Sequence, residues 1–84
     1  MTARKWKVDA EGERARRYSD FDRAAVWAVE LAREGKVAVI VESPGWANFT
    51  VEASASGDGT RCAGAFAHHH ATTMHRLWRA ANDG

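Results

Sequence analysis

Apolar and polar residues alternate at the start of the chain. Trp6 and Val8 stand between charged neighbours, a Glu11-Gly12 pair follows, and residues 14–18 form a second, polar-rich segment. Alternation on both sides of a glycine-containing turn is typical of a β-hairpin. The sequence therefore predicts two paired strands before residue 19, with Trp6 and Val8 turned towards the core.

Residues 19–34 carry apolar residues at helical spacing. Ser19 is a favourable N-cap, and the acidic residues that follow it suit the positive end of the helix dipole. Gly35 stands where helices commonly end on a glycine. The pattern predicts an amphipathic helix whose inward stripe consists of Phe21, Ala24, Ala25, Ala28, Leu31 and Ala32.

The second half of the chain predicts further strands before a second helix. Residues 37–42 are rich in β-branched residues, which predicts a central strand buried on both faces. Residues 46–55 alternate and predict another strand, whereas residues 60–66 fit either a strand or a helix. A helix is predicted over residues 67–81, with an inward stripe of Ala67, His70, Met74, Leu77, Trp78 and Ala81.

These elements predict a single small α+β domain over residues 1–84, in the order ββαββ(β)α. An antiparallel-rich sheet of four or five strands, with two helices packed on one face, would bury both helical stripes. The chain has 84 residues, of which 45% are hydrophobic and 27% charged. That length and balance are typical of a globular domain with one modest core.

Charge and cysteine content narrow the classes of function. Twelve basic and eleven acidic residues give a net charge of +1, which excludes a strongly acidic nucleic-acid mimic. The single cysteine, Cys62, forms no internal disulfide but is a candidate for a disulfide between two chains. The N-terminus has no apolar segment typical of a secretory signal, and the longest apolar run, Ala24–Val29, is too short to span a membrane. We expect a cytoplasmic monomer or weak homodimer.

Four histidines lie close together, at positions 68–70 and 75. Consecutive helical residues point about 100° apart, so the triplet cannot converge on one ion. His68 and His75 share a helix face, but they lie about 10 Å apart along the axis. The sequence therefore predicts no metal and no cofactor, and it places His70 on the apolar stripe as a partly buried core or interface residue.

The same histidines offer no clear acid–base apparatus. A general base needs a proton donor within reach and an orienting carboxylate, and no spacing ties His70 or His75 to Asp58 or Glu52. The common phosphate-binding, dinucleotide-binding and serine-hydrolase motifs do not occur. No catalytic residue is predicted, and the chain is expected not to be an enzyme.

Two candidate binding surfaces remain. The first is a basic face of the hairpin, where Lys5, Lys7, Arg14 and Arg16 are expected to lie together and could contact phosphates. The same segment is rich in acidic residues, so a solvated, ion-paired hairpin is the plainer interpretation.

The second candidate surface is aromatic and arginine-rich. Trp27 lies off the middle of its helical stripe, and Trp46 shares the polar side of its strand with Asn48. Tryptophan and arginine contribute most to the energy of protein interfaces, so Trp27, Trp46 and Asn48, with Arg76 and Arg79 on the second helix, are predicted to bind a protein partner. Tryptophans that cover the edge of the core are the alternative.

Two resemblances bear on these expectations. The segment WKVDAEGERARRYSDFDRAAVWAVELAREGKVAVIV, residues 6–41, resembles small bacterial ββαβ domains of unknown function, and it implies no activity. In its build, the whole chain resembles small phage-encoded inhibitors of bacterial defence, the anti-CRISPR proteins among them. That resemblance implies a non-enzymatic protein that binds a protein partner, such as a defence or nucleoprotein complex. The alternative is a small nucleic-acid-binding module that uses the hairpin.

Overall fold

Strands and helices follow the chain in the order ββαβββα. The strands are β1 (Trp6–Ala10), β2 (Arg16–Tyr18), β3 (Ala38–Glu42), β4 (Ala47–Ala53) and β5 (Thr60–Gly64), and the helices are α1 (Phe21–Arg33) and α2 (His68–Asp83). The structure, a computed structural model, describes residues 5–42, 47–54, 57, 59–64 and 68–83, without the side chains of 47–49, 68 and 83. The predicted α+β class and element order are confirmed, and the ambiguous segment after residue 59 begins with a strand.

All five strands form one antiparallel sheet in the order β2-β1-β3-β4-β5. Val8 of β1 lies opposite Arg16 of β2 on one side and opposite Ile40 of β3 on the other. β3 is therefore the central strand, as its β-branched sequence predicts. The predicted turn at residues 43–46 lies outside the described residues.

The prediction that the central strand is buried on both faces is wrong. Ala38 and Ile40 are fully buried, whereas Val39 and Val41 are half-buried. The reason is that both helices pack on the face that carries Ala38 and Ile40, and they contact each other there. Val39 and Val41 lie on the opposite face, which we call the open face, and β-branched residues suit a half-buried pleated surface equally well.

The core is built around a helix surface of alanine. Ala24, Ala25, Ala28 and Ala32 of α1 are completely buried against the sheet. Larger side chains fill the space around this surface, namely Trp6, Val8, Leu31, Ile40, Val51, Met74 and Trp78. Trp6 and Trp78 are the two core tryptophans that the sequence predicts, and each is about 5% exposed.

Helix α1 begins one residue later than expected. Asp20, not Ser19, is the N-cap, with extended backbone (φ −119°) and an Oδ1 that accepts a hydrogen bond from the Asp22 N–H at 3.2 Å. Serine and aspartate cap helices about equally well, so sequence preference alone does not separate the two positions. The carboxylate of Asp20 also brings a negative charge to the positive end of the helix dipole.

Helix α1 ends in the glycine cap that the sequence predicts. Gly35 has φ +87°, and its N–H donates to the Ala32 carbonyl at 3.0 Å. The Lys36 N–H donates to the Leu31 carbonyl, also at 3.0 Å, which completes a Schellman motif. This turn directs the chain from α1 back into β3.

Replacing Gly35 with alanine should destabilise the fold by ~1 kcal/mol, because the left-handed backbone conformation is unfavourable for a residue with a Cβ atom. Urea unfolding monitored by tryptophan fluorescence measures the loss. Gly59→Ala is the matched control, since a Cβ at either position meets no atom within 4 Å but Gly59 has no positive φ. An equal loss in both variants would show that the left-handed conformation of Gly35 is not the cause.

Candidate partner-binding surface

Trp27 forms one wall of a groove between α1 and the edge strand β2. The Arg16 guanidinium lies over the Trp27 ring, with its carbon 3.8 Å from the ring centre. This distance is well within the range of a cation–π contact. The groove, which we call the Trp27 groove, measures about 280 Å³ and is lined by Arg16, Tyr18, Arg23, Val26, Trp27 and Glu30.

The strand register places Arg16 in this groove and corrects the predicted basic face. Arg16 pairs with the buried Val8, so it lies on the helix side of the sheet, whereas Lys7 pairs with Arg17 on the open face. Arg14 precedes β2 and is exposed. Lys5, Lys7, Arg14 and Arg16 therefore do not form one face of the hairpin.

The position of Tyr18 in the sequence could have predicted this register. Tyr18 pairs with Trp6 and packs against the core, which fixes residues 16 and 18 on the inner side of β2. Aromatic pairs across neighbouring strands are favourable. Pairing Trp6 with Tyr18, the aromatic residue of β2, would have placed Arg16 on the correct face of the sheet.

The Trp27 groove is cationic, whereas the nearby lysines are neutralised. Within the described part of the chain, neither Arg16 nor Arg23 forms an ion pair. In contrast, the Lys5 ammonium lies 3.2 Å from the Glu42 carboxylate, and the Lys7 ammonium lies 3.2 Å from that of Asp9. Two unpaired guanidinium groups therefore favour an acidic group at this groove.

The indole Nε1 of Trp27 is buried and has no hydrogen-bond acceptor among the described residues. A buried donor without an acceptor costs about 1–3 kcal/mol, so such groups are rare in native folds. Trp27 thus combines a cationic neighbour with an unsatisfied donor at the margin of the core.

A second groove lies on the other side of α1, against α2. It measures about 290 Å³ and is lined by Val26, Val29, Glu30, Arg33, Leu77, Ala80 and Ala81. We call it the helix groove. It shares Val26 and Glu30 with the Trp27 groove, and Val26 is 44% exposed. The two grooves therefore form one continuous surface on both sides of the α1 ridge.

Arg76 and Arg79, two of the residues that the sequence predicts to bind a partner, are exposed on the outer side of α2. Together with Thr72 and His75 they line a shallow recess of about 330 Å³. Arg76 lies one helical turn before Ala80, which lines the helix groove, so this recess adjoins that groove. The surface is thus basic at both of its ends.

The other two predicted partner-binding residues are Asn48 and Trp46, and the structure describes only the backbone of Asn48. Asn48 of β4 pairs with Val41 of β3. Two strands, β1 and β3, separate β4 from β2 in the sheet. The side chain of Asn48 and the whole of Trp46 lie outside the described residues.

Of the histidine side chains that the structure describes, His70 and His75 lie in different surroundings, whereas the His69 ring meets the His70 ring edge-on with centres 4.2 Å apart. The His70 ring stacks on Phe21 with ring centres 4.0 Å apart, and it meets Trp6 edge-on at 5.4 Å. The Nδ1 atom of His75 lies 3.2 Å from the Thr60 hydroxyl. Within residues 5–42, 47–54, 57, 59–64 and 68–83, no group of three or more histidine, cysteine or acidic side chains is arranged to hold a metal ion.

Cys62 is a half-buried residue on the inner side of β5, where it packs against the core. Burial raises the pKa of its thiol above the ordinary value. A smaller thiolate fraction makes the thiol a slower nucleophile at neutral pH.

Comparison with known proteins gives no relative for this chain: no family model matches, and no significant match was found among curated proteins or solved structures. In the part of the chain that the structure describes, neither helix is long and apolar enough to cross a membrane.

The aromatic stack around His70 predicts a pH dependence of stability. Burial, and next the neighbouring His69, lower the pKa of His70 below its ordinary value of 6.5, and Lys5 adds to this while Glu42 and Asp22 oppose it. As pH falls through that ordinary value, the unfolded chain therefore takes up the proton first, which favours unfolding. Above it, His70 is neutral in both states and has no such effect.

We therefore expect wild-type protein to lose more stability than His70→Phe between about pH 7.5 and about pH 5, because phenylalanine keeps the ring stack but does not titrate. Urea unfolding at the two pH values measures the difference. An equal loss in both proteins would contradict the assignment of this pH dependence to His70.

Proposed function

We propose that this chain is a non-enzymatic binding protein that acts through contact with another protein, and that the contact runs through the Trp27 groove and the helix groove. The observation that carries the proposal is the Arg16 guanidinium held 3.8 Å over Trp27 in a groove open to solvent. Arginine and tryptophan are the residue types most enriched at the energetic centres of protein interfaces.

The lining of the two grooves indicates the chemistry of the partner. Val26 and Leu77 offer apolar surface, while Arg16 and Arg23 have no ion pair among the described residues. A partner segment with a carboxylate beside apolar side chains would match both features. Together with the small α+β build, this surface supports an inhibitor that occupies a site on a larger complex, such as a bacterial defence complex.

The described contacts of His70 and His75 are with aromatic rings and a hydroxyl group. His70 is part of an aromatic stack, and the polar contact of His75 is a threonine hydroxyl. Neither arrangement is the nucleophile, base and orienting carboxylate that acid–base catalysis uses. The proposal therefore assigns no catalytic residue, cofactor or metal to this chain.

A nucleic-acid-binding module is the alternative, and the open face of the sheet would be its surface. Lys7 and Arg17 lie side by side there. However, Lys7 is paired with Asp9, and Arg61 on the same face is paired with Glu52. Internal pairing reduces the charge available to phosphates, so this face supports the alternative less well than the Trp27 groove supports a protein partner.

Arg16 and Arg17 provide a matched test of these two functions. They are neighbours in β2 with opposite faces, so Arg16→Glu and Arg17→Glu make the same charge change in the two candidate surfaces. If the Trp27 groove binds the partner, Arg16→Glu should weaken binding at least about tenfold, whereas Arg17→Glu should have little effect.

Capture from a bacterial lysate, followed by titration of the purified partner by calorimetry, measures both variants. Circular dichroism checks that each variant is folded. The reverse pattern, with binding to a nucleic acid lost in Arg17→Glu and steeply weakened by salt, would favour the nucleic-acid alternative.

Trp46 provides a second test, although it lies outside the described residues. If Trp46 is displayed to the partner, Trp46→Ala should cost ~2 kcal/mol or more of binding with the melting temperature nearly unchanged. A folded His68/His69/His70→Ala variant should bind almost normally. Loss of binding in the histidine variant alone would reject the aromatic and arginine surface and point to the imidazoles.

A further inference from the structure

The recess on the outer side of α2 is lined by four side chains that share one face of the helix. Thr72, His75, Arg76 and Arg79 follow one another at the spacing i, i+3, i+4 and i+7. His75 and Arg76 both lie about one helical turn before Arg79, so all three side chains are neighbours. The recess measures about 330 Å³, close to the lower limit of ligand pockets, roughly 300 Å³. Two guanidinium groups and an imidazole therefore border one small volume.

The positive charge of this recess is not compensated within the described part of the chain. Neither Arg76 nor Arg79 forms an ion pair there, whereas Arg61, which is also exposed, is paired with Glu52. Helix α2 contributes no acidic residue before Asp83, its last residue. The two guanidinium groups therefore favour an anion in the recess.

The imidazole of His75 is oriented by a buried residue of β5. Its Nδ1 atom lies 3.2 Å from the hydroxyl of Thr60, which is only 4% exposed. When this hydroxyl donates to Nδ1, the ring proton lies on Nε2, and Nε2 is then the ring donor available to a group in the recess. The strand thus orients a third donor beside the two arginines.

We propose that this recess binds the phosphate group of a phosphomonoester, with Arg76, Arg79 and His75 as its hydrogen-bond donors. A carboxylate has two oxygens, which one guanidinium fork already occupies, whereas the three terminal oxygens of a phosphomonoester accept from both forks and from the imidazole. The charge of about −1.5 to −2 on such a group at neutral pH also matches two guanidinium groups. A phosphodiester carries a single negative charge and two terminal oxygens, so it matches the recess less well.

Methyl phosphate and dimethyl phosphate are matched probes, because they carry the same group as a monoester and as a diester. NMR titration at pH about 7.5, with the ionic strength held at about 0.15 M by sodium chloride, follows the side-chain signals of His75, Arg76 and Arg79. Methyl phosphate should shift these signals and saturate with a Kd of roughly 1 mM, and dimethyl phosphate should bind at least about fivefold more weakly. A phosphoserine peptide and a nucleoside monophosphate then separate the two sources of the group, since the natural source should bind more tightly than methyl phosphate.

Variants separate binding in the recess from general attraction to a basic protein. Arg76→Gln and Arg79→Gln should each weaken methyl phosphate binding about fivefold or more. Arg14→Gln is the matched control, because it removes the same charge from an exposed arginine before β2 and should leave the affinity nearly unchanged. Thr60→Val keeps the shape of the side chain but removes the hydroxyl that orients His75, so it should weaken binding a few-fold. Circular dichroism checks that each variant is folded.

The proposal does not rest on the proposed partner contact, because the four residues of the recess line neither the Trp27 groove nor the helix groove. A chain that binds phosphate but loses no partner binding in Arg16→Glu would reject the groove alone. The recess is rejected if methyl phosphate gives no saturable shift up to about 20 mM, or if dimethyl phosphate binds as tightly. It is also rejected if Arg14→Gln weakens binding as much as Arg79→Gln.

Discussion

The close approach of α1 to the sheet is the constraint on which the rest of the structure depends. Four alanines of α1 are fully buried, so the helix backbone can lie near the strands with little side-chain volume between them. Such an alanine surface buries little apolar area by itself. Large residues from both sides therefore complete the core, with Trp6 from β1 and with Met74 and Trp78 from α2. The inner face of α1 has little side-chain volume, so the large side chains of α2 are needed to fill the core.

The same constraint decides what the outer surface of α1 contains. Alanine occupies most of the face of α1 that packs on the sheet. Trp27 lies outside this face, on the flank of the helix beside β2. There the edge position of β2 allows Arg16 to extend over the indole ring. The half-buried tryptophan and its arginine are thus a consequence of how the core is filled. This origin explains why the candidate surface lies next to α1 and not at the histidines.

Local patterns in the sequence were sufficient to predict the individual helices and strands. They were not sufficient to predict how these elements pair and pack against one another. Helical spacing and Gly35 locate α1, and the β-branched run locates the central strand. Which face Arg16 occupies depends on the hairpin register, because a shift of one residue moves every side chain to the other face. The half-burial of Val39 and Val41 depends on where the helices pack, which no strand pattern encodes. The Trp27 groove combines β2 and α1, and it was missed for the same reason.

The distribution of charge follows from the one-sided packing of the sheet. On the open face, cross-strand and neighbouring positions allow Glu52 to pair with Arg61 and Lys7 with Asp9, so these two cations are neutralised within the chain. On the helix side, Arg16 lies among aromatic and aliphatic groups and finds its favourable contact with a π face instead. A cation–π contact leaves the guanidinium's hydrogen-bond donors available. Among the described residues no carboxylate is paired with Arg16, so the proposed acidic partner group would not have to displace one, and this is the physical argument for proposing the Trp27 groove as the contact.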